Sequence, residues 1–520
     1  MFLHMLRGVR SGAQMVVIDP RRTLSAQAAH THLPIKVGSD IALANAMAHV
    51  ILAEGLENRD FIERATVSFE GYRQVVQRYT PEYAEPLTGI PAEQIRWLAR
   101  LYARVPRAML CWTLGITEHH NATDNVYALS NLALLTGHVG RPGSGLAPLR
   151  GQNNVQGGGD MGALPDRLTG FQHVSDDARR QRVEQLWGAR IPPLPGKHQT
   201  AMMHAMEHGE LRCMYVIGEN PVQSDADGQR VERLFRGLDF LVVQDITMTA
   251  TGRLADVVLP GCAGWVESTG TFTNSERRVQ LGRKSFDPPG DARDDCSIVQ
   301  DLANRLGASW SYAGSEDVWN EVRQVAPHMF GGMSYARLIE CQGLQWPCPD
   351  ESHPGSPVLH TRLWDAVVDP RVPFMPSEYE PVADTIDDEY PFVLTTGRRL
   401  EFFNTGVQTR AYASARRQSE VLWIHPDDAA TYGIQSGELV CVKSRRGELQ
   451  LQAGFDAGLS RGLLFMTLHF PDQVPTNVLT IEATDPIAGT AEFKAAAVRI
   501  EPVRERQSSS DGQVKVAALG

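Results

Sequence analysis

Cysteine is scarce: the 520 residues hold seven, at 111, 213, 262, 296, 341, 348 and 441, and no C-x-x-C appears. So thin and odd a set excludes a disulfide scaffold and points to a reducing compartment, so a cytoplasmic location is expected. Cys341 and Cys348, the closest pair, are separated by six residues. That gap is too wide for the usual first half of a zinc or iron–sulfur motif, and no metal ligand is assigned. Long apolar runs are missing too, none approaching the ~18–20 residues that span a bilayer, so no membrane insertion is expected. Positive charge is in deficit, 50 Lys+Arg against 61 Asp+Glu for a net charge of -11. This argues against a nucleic-acid binder working by phosphate neutralisation. The opening MFLHMLRGVRSGAQMVVIDP also lacks the continuous apolar segment and cleavage site of an export signal.

What is present is an α/β pattern long enough for about three or four lobes. The first twenty residues read as a helix and then a buried strand, Met15 to Ile18, ending on Asp19-Pro20. A parallel unit would need a strand before that helix, so the chain is expected to open inside an α/β unit. Helical periodicity follows at 40–55, 94–104 and 122–136, with a strand over 108–112. A second run starts near Cys213. There, Met214 to Ile217 leads into Gly218-Glu219-Asn220-Pro221, and Phe240 to Val243 leads into Gln244-Asp245.

An internal repeat links the two runs. Val16 to Pro34 aligns without gaps on Val242 to Pro260, matching Asp19 with Asp245, Thr23 with Thr249, Ala29 with Ala255 and Leu33-Pro34 with Leu259-Pro260. The alignment predicts a duplicated domain. A carboxylate just past the end of a parallel strand is well placed for a ribose or base edge, and two such domains imply two nucleotide-like ligands. For either aspartate alone, a turn or helix-cap role is the competing reading.

Residues 137–162 hold nine glycines among 26 positions, interleaved with Arg150, Gln152, Asn153, Asn154 and Gln156. Such density costs conformational entropy unless the backbone must approach something closely. A linker would be Ser-rich and repetitive, and this stretch is neither, so ligand contact is preferred. Residues 376–390 are acidic with two prolines and read as a linker. Beyond them the pattern turns to strands, with a hairpin predicted where Leu439 to Lys443 and Glu448 to Gln452 flank Ser-Arg-Arg-Gly. The expected organisation is a partial α/β domain over 1–150, a second over 151–375, the linker, a C-terminal β-barrel over 391–503 and a disordered tail over 504–520. Cys111 and Cys213, in apolar strands, are expected in cores.

Several motifs then carry a resemblance. They are Gly115-Ile-Thr-Glu-His-His-Asn121, Leu134-Leu-Thr-Gly-His-Val-Gly140, Pro148-Leu-Arg-Gly-Gln-Asn-Asn-Val-Gln156 and Gly159-Asp-Met-Gly-Ala163. Gly218-Glu-Asn-Pro221, Val243-Gln-Asp245, Ala255 to Pro260, Thr396-Gly-Arg398 and Glu492-Phe-Lys494 continue the series in order. The chain resembles the large subunit of formate dehydrogenases in the bis-molybdopterin guanine dinucleotide oxidoreductase family. The resemblance implies two Rossmann-like dinucleotide-binding domains related by duplication, capped by a β-barrel of double-psi type. It implies two molybdopterin guanine dinucleotides holding molybdenum or tungsten. Position by position, Asp19, Gly38 and Asp40 resemble contacts to one dinucleotide, and Gly218, Asn220, Ser224, Gln244, Asp245 and Asp295 contacts to the other. Gly115, Glu118 and Gln152 would lie near the pterins, with Gly397, Arg398, Asn477 and Lys494 coming from the cap. Arg150 resembles the arginine that grips the substrate carboxylate, a task suited to a permanently charged planar fork.

The family also carries, upstream of what would be Met1 here, a four-cysteine 4Fe-4S domain and the cysteine or selenocysteine that ligates the metal. No counterpart is seen in this sequence. His119 and His120 fall in another motif and are expected at a helix start or on the surface, and Phe402 stands where relatives often carry histidine. The expected function is therefore the catalytic-subunit body of a formate dehydrogenase. It would oxidise formate to CO2 and pass two electrons to an iron–sulfur subunit or a missing N-terminal part, and would be inactive alone. The resemblance leaves open a split enzyme, a truncated frame or a frame starting after a selenocysteine codon. Two other functions compete with it, a nitrate-type oxyanion reductase and a non-catalytic scaffold of an electron-transfer complex.

Overall fold

The computed structural model describes residues 2–264, 266–400, 402, 404–405 and 419–503. The tail expected over 504–520 lies outside the described residues. The helix Asp40–Ala53 is apolar on nearly every side, DIALANAMAHVILA, and such a helix must be enclosed. The helices Pro81–Thr88, Ala92–Arg104 and Ala122–Thr136 pack around it. The resulting core includes Ile41, Ile51, Phe61, Ile95, Leu132 and Leu135. Leu363, Val368 and Phe374 belong to the same core, Phe374 stacking on Tyr72 at 4.9 Å. The end of the segment expected in the second domain thus returns to the first. Its apolar side chains find cover there.

The stretch 376–390 has no regular secondary structure, yet it is anchored along its length. Asn45 donates to the Ser377 carbonyl at 2.8 Å and Asn131 to the Met375 carbonyl at 2.7 Å. Asp384 is buried, paired with both Arg445 and Arg446, and accepts from the Ala497 amide at 2.9 Å. The acidity that suggested a linker is matched at Asp384 by the two arginines of the Ser-Arg-Arg-Gly turn.

In the second α/β unit, Cys213–Ile217, Phe240–Asp245 and Val257–Pro260 form a parallel sheet with the middle strand central. Helices Gln199–Glu207 and Gly228–Arg236 supply Met203, Val231 and Phe235 to its core. A further lobe lies within 151–375. There Gly270–Thr273, Arg278–Gly282 and Leu344–Gln345 form an antiparallel sheet over Trp319, Phe330 and Leu338.

The duplication holds at atomic detail. Val16–Ile18 pairs parallel with Thr31–Leu33 in the register Val16↔Thr31, and Val242 pairs with Val257, the counterpart positions. The Thr23 hydroxyl accepts from the Ala26 amide at 3.3 Å, and the matching Thr249 hydroxyl from the Gly252 amide at 2.9 Å. Strand-end Asp19 accepts from the Arg21 amide at 2.8 Å, and Asp245 from the Thr247 amide at 3.1 Å.

Cys111 and Cys213 are exposed, contrary to the core positions expected. Among the described residues Met109–Trp112 pairs only with Gly145–Pro148, and Cys213–Ile217 is an outer strand of its sheet. Met109 shares the Cys111 face and Ile217 the Cys213 face, and both are exposed, so neither face is enclosed.

Six strands close into a C-terminal barrel: Phe392–Gly397, Leu463–Thr467, Val421–Ile424, Glu448–Phe455, Leu439–Ser444 and Ala496–Pro502, the last pairing back to the first. Closure leaves no sheet edge, and Leu394, Leu422, Val440, Leu464 and Val498 fill the interior. The expected hairpin is present, with Lys443 opposite Glu448. No helix among the described residues is long and apolar enough to cross a membrane.

Candidate functional site

Three groups of the sequence-predicted residues assemble where the barrel meets the two α/β units. In the first, Glu118 pairs with Lys494 at 2.6 Å, and the Lys494 ammonium also donates to the Thr396 carbonyl at 3.2 Å, next to Gly397. Asp19 and Asp40 share this neighbourhood. Burial pushes the Asp19 carboxyl upward, opposed by the Arg21 amide and by the charges of Arg21, His32 and Lys494. Burial likewise raises Asp40, opposed by the charge of His119 and reinforced by Asp19. Gly38 turns the chain into the helix at φ +78, and a Cβ there would sit 2.4 Å from Val382 Cγ1. Gly38→Ala is therefore expected to cost about 1–3 kcal/mol through backbone strain and overlap. An unchanged thermal midpoint would refute this.

The second group lines the end of the other parallel sheet. Gly218, at φ +65, donates its amide to the Gln244 carbonyl at 2.8 Å. The Gln244 side chain is buried, accepts from the Tyr215 hydroxyl and donates to Asp295 at 2.5 Å. Asn220 accepts from the Thr251 amide at 3.2 Å and from its hydroxyl at 2.9 Å. Asn477 crosses from the barrel to donate to the Gln223 and Ser224 carbonyls at 3.1 and 2.9 Å. Burial raises Asp245, opposed by the Thr247 and Ile246 amides, and Asp295 adds like-charge repulsion.

The third group surrounds Arg150. Its backbone is held by Ser275, whose hydroxyl accepts from the Arg150 amide at 3.1 Å. Its Nε donates to Gln156 Oε1 at 3.1 Å. Arg398 reaches from the barrel to the Gly151 carbonyl at 3.4 Å and the Phe402 carbonyl at 3.3 Å, while Gln152 donates to Asn404. Phe402, already noted as a departure, lies 5.8 Å from the His469 ring and 4.9 Å from that of Phe470. Arg150, Gln152, Gly397 and Arg398 thus come together although some 250 residues separate the two loops.

His119 was expected at a helix start or on the surface; it does precede the helix Ala122–Thr136, whose Ala122 amide donates to the His119 carbonyl at 3.1 Å, but it is not on the surface. Its side chain is 2% exposed and pairs with Glu492, itself 0% exposed, at 2.9 Å. His120 approaches the other oxygen of the same carboxylate at 3.3 Å. The Gly115 carbonyl lies 3.1 Å from His119 Nε2, which places Gly115 in the first group. Glu492 was visible in its motif, but nothing in the spacing marked its partner. Among the described residues no group of three or more His, Cys, Asp or Glu could hold a metal ion.

Residues 3–305 match the family described as molybdopterin oxidoreductase, and residues 392–497 match the molydopterin dinucleotide binding domain. The chain is 42% identical over 503 residues to the F420-dependent formate dehydrogenase subunit alpha of Methanocaldococcus jannaschii, covering 96% of this chain and 73% of that one. It is 36% identical to formate dehydrogenase H of Escherichia coli, over 97% of this chain and 71% of that one. The assimilatory nitrate reductase catalytic subunit of Bacillus subtilis is 35% identical, over 95% and 71%. Acetylene hydratase from Pelobacter acetylenicus shares the fold at a TM-score of 0.73 and 20% identity, covering 96% of this chain and 75% of that structure. With both family regions matched and relatives aligned along nearly all of it, the chain belongs to the molybdopterin oxidoreductases and is an enzyme of that class.

Proposed function

We propose that this chain is the catalytic-subunit body of a molybdopterin-dependent formate dehydrogenase. The observation that carries the reading is Arg150, an exposed guanidinium held through Nε by Gln156 and set in a glycine-rich loop beneath the barrel's Arg398. Two relatives named formate dehydrogenase, at 42% and 36% identity, support the same substrate.

The donor sets fit two guanine dinucleotide arms. Asp19 and Asp245 offer carboxylates at equivalent strand ends, Gln244, Asn220 and Asn477 offer amides, and Lys494 and Arg398 offer positive charge for phosphates. When bound, the pterin-held molybdenum or tungsten supplies two-electron redox chemistry. Formate becomes CO2 by giving up two electrons and a proton. Arg150 contributes orientation, gripping both carboxylate oxygens with its planar, charged fork. In this reading the metal's protein ligand and the 4Fe-4S relay lie on further polypeptide, and the protein works in the cytoplasm.

Formate-dependent reduction of an artificial acceptor tests the reading, together with metal and guanine nucleotide analysis. The complete enzyme should oxidise formate with two guanine nucleotides per chain, whereas this chain by itself should not turn over. The nitrate reductase relative favours a second reading, since a guanidinium also accommodates planar nitrate. Nitrate reduction without formate oxidation would replace the first reading with the second. Absence of any nucleotide would indicate a scaffold.

A further inference from the structure

We propose that Gln156 and Asp160 are positioning residues that aim the Arg150 guanidinium at the substrate anion, with Trp346 as the anchor of the chain. The inference rests on Arg150 as the anion-gripping residue and deepens that reading. Four side chains form one relay. Arg150 Nε donates to Gln156 Oε1 at 3.1 Å, Gln156 Nε2 donates to Asp160 Oδ1 at 2.8 Å, and Trp346 Nε1 donates to Asp160 Oδ2 at 2.8 Å. Asp160 is 0% exposed and Gln156 is buried, so water does not substitute for either bond. Among the described residues neither Nη of Arg150 has a hydrogen-bond partner, which leaves that end of the fork for a ligand.

The direction of each bond is dictated by the carboxylate. An ionised Asp160 only accepts, so Gln156 must turn its amide nitrogen inward and its oxygen outward to Arg150. Were the amide reversed, two donors would face each other at Arg150 and the guanidinium would be pushed from its seat. Trp346 donates through a rigid indole and holds the second oxygen. Gly157 must lack a side chain here, because a Cβ would lie 2.0 Å from Asn154 Oδ1, and that oxygen already accepts from the Thr273 amide at 2.9 Å. The backbone of this turn is therefore fixed independently of the relay.

The charged groups that face Asp160 are Arg150 and Arg277. Arg277 lies 5.1 Å from the Trp346 ring centroid and donates to the Trp346 carbonyl. Burial pushes the Asp160 carboxyl up to about 6, opposed by Gln156, Trp346 and the two arginine charges. Below that pH the protonated acid becomes a donor and no longer enforces the orientation of Gln156. A simple carboxylate substrate stays ionised down to about pH 4, so it does not titrate in this window.

The test uses the holoenzyme with three readouts. Asp160→Asn should raise the formate KM about tenfold with kcat changed far less, because one charge-assisted link in the seat of Arg150 is lost. The parent's KM should climb as pH falls through about 6, and this limb should vanish in Asp160→Asn. Trp346→Phe removes a donor to the ionised form and should move the limb to higher pH. In 5-fluorotryptophan-labelled chain, without substrate, the 19F resonance lost in Trp346→Phe should titrate near pH 6 in the parent and not in Asp160→Asn. Unchanged formate KM and pH limb in Asp160→Asn would overturn the positioning role even if the resonance titrates. A resonance that does not titrate would overturn the charge state on which it depends. If the parent reduced nitrate and left formate untouched, the formate reading would fall, and the same variants would judge the positioning role on the nitrate KM.

Discussion

Arg150→Ala is expected to lower kcat/KM for formate roughly ten- to 150-fold, because losing hydrogen bonds to a charged group typically costs about 1.5–3 kcal/mol. Arg150→Lys should fall between the parent and Arg150→Ala. The ammonium keeps the charge but has no planar fork, and it has no Nε–H to seat on Gln156. Metal and nucleotide content should stay near the parent's in both variants, since the residues proposed to hold the dinucleotides are elsewhere. Steady-state kinetics with cofactor analysis decides the matter. Unchanged formate turnover in Arg150→Ala would make the arginine structural and remove the substrate site from this loop.

The largest stability effect is expected at Glu492→Ala. The Glu492 carboxylate is fully buried and receives the His119 ring at 2.9 Å, the His120 amide at 3.3 Å and the Lys494 and Ala495 amides at 3.2 Å each. Against the burial that would raise it, the His119 and His120 hydrogen bonds and the His119 charge hold its acidity at about 2. Burial disfavours a charged His119, but Glu492 and the Asp40 charge overcome it and raise the histidine above its ordinary value. Removing one member of such a pair strands the other and costs about 3–5 kcal/mol.

The pH dependence follows from the two directions. A depressed carboxyl stabilises above its unfolded value, near 4.3, and that contribution is lost as pH falls towards about 2. A raised histidine stabilises below its unfolded value, near 6.5, and that contribution is lost as pH rises through the folded one. The gap in melting temperature between parent and Glu492→Ala should therefore be widest around pH 5–6 and narrow on the alkaline side. A gap that stays constant from pH 5.5 to 9 would show that His119 is neutral throughout.

Much of the scaffold was legible because it is locally encoded. The helices expected at 40–55, 94–104 and 122–136 appear as Asp40–Ala53, Ala92–Arg104 and Ala122–Thr136, since each is an uninterrupted run of eleven or more residues free of proline and glycine, the first apolar on nearly every side. The constant offset of 226 between Val16 and Val242 foretold two units, because identical caps and strand ends fold by the same short-range bonds. Short helices such as Arg59–Ala65 and Pro81–Thr88 were not foreseen. Seven or eight residues give little periodicity, and Pro86 sits inside the second.

Local pattern and chemistry were thus sufficient for the α/β alternation, the repeat, the hairpin and the glycine- and amide-rich loop around Arg150. Burial and pairing across the chain were settled only by the folded arrangement. His119 meets Glu492 across 373 positions and Trp346 meets Asp160 across 186, distances over which sequence spacing carries no geometric information. The same cause put Phe374 in the first core, tied Asp384 to Arg445 and Arg446, and left Cys111 exposed. A side chain's solvation depends on which layer closes over it, and that is fixed by the docking of the barrel and the α/β units rather than by the residue's neighbours in the chain.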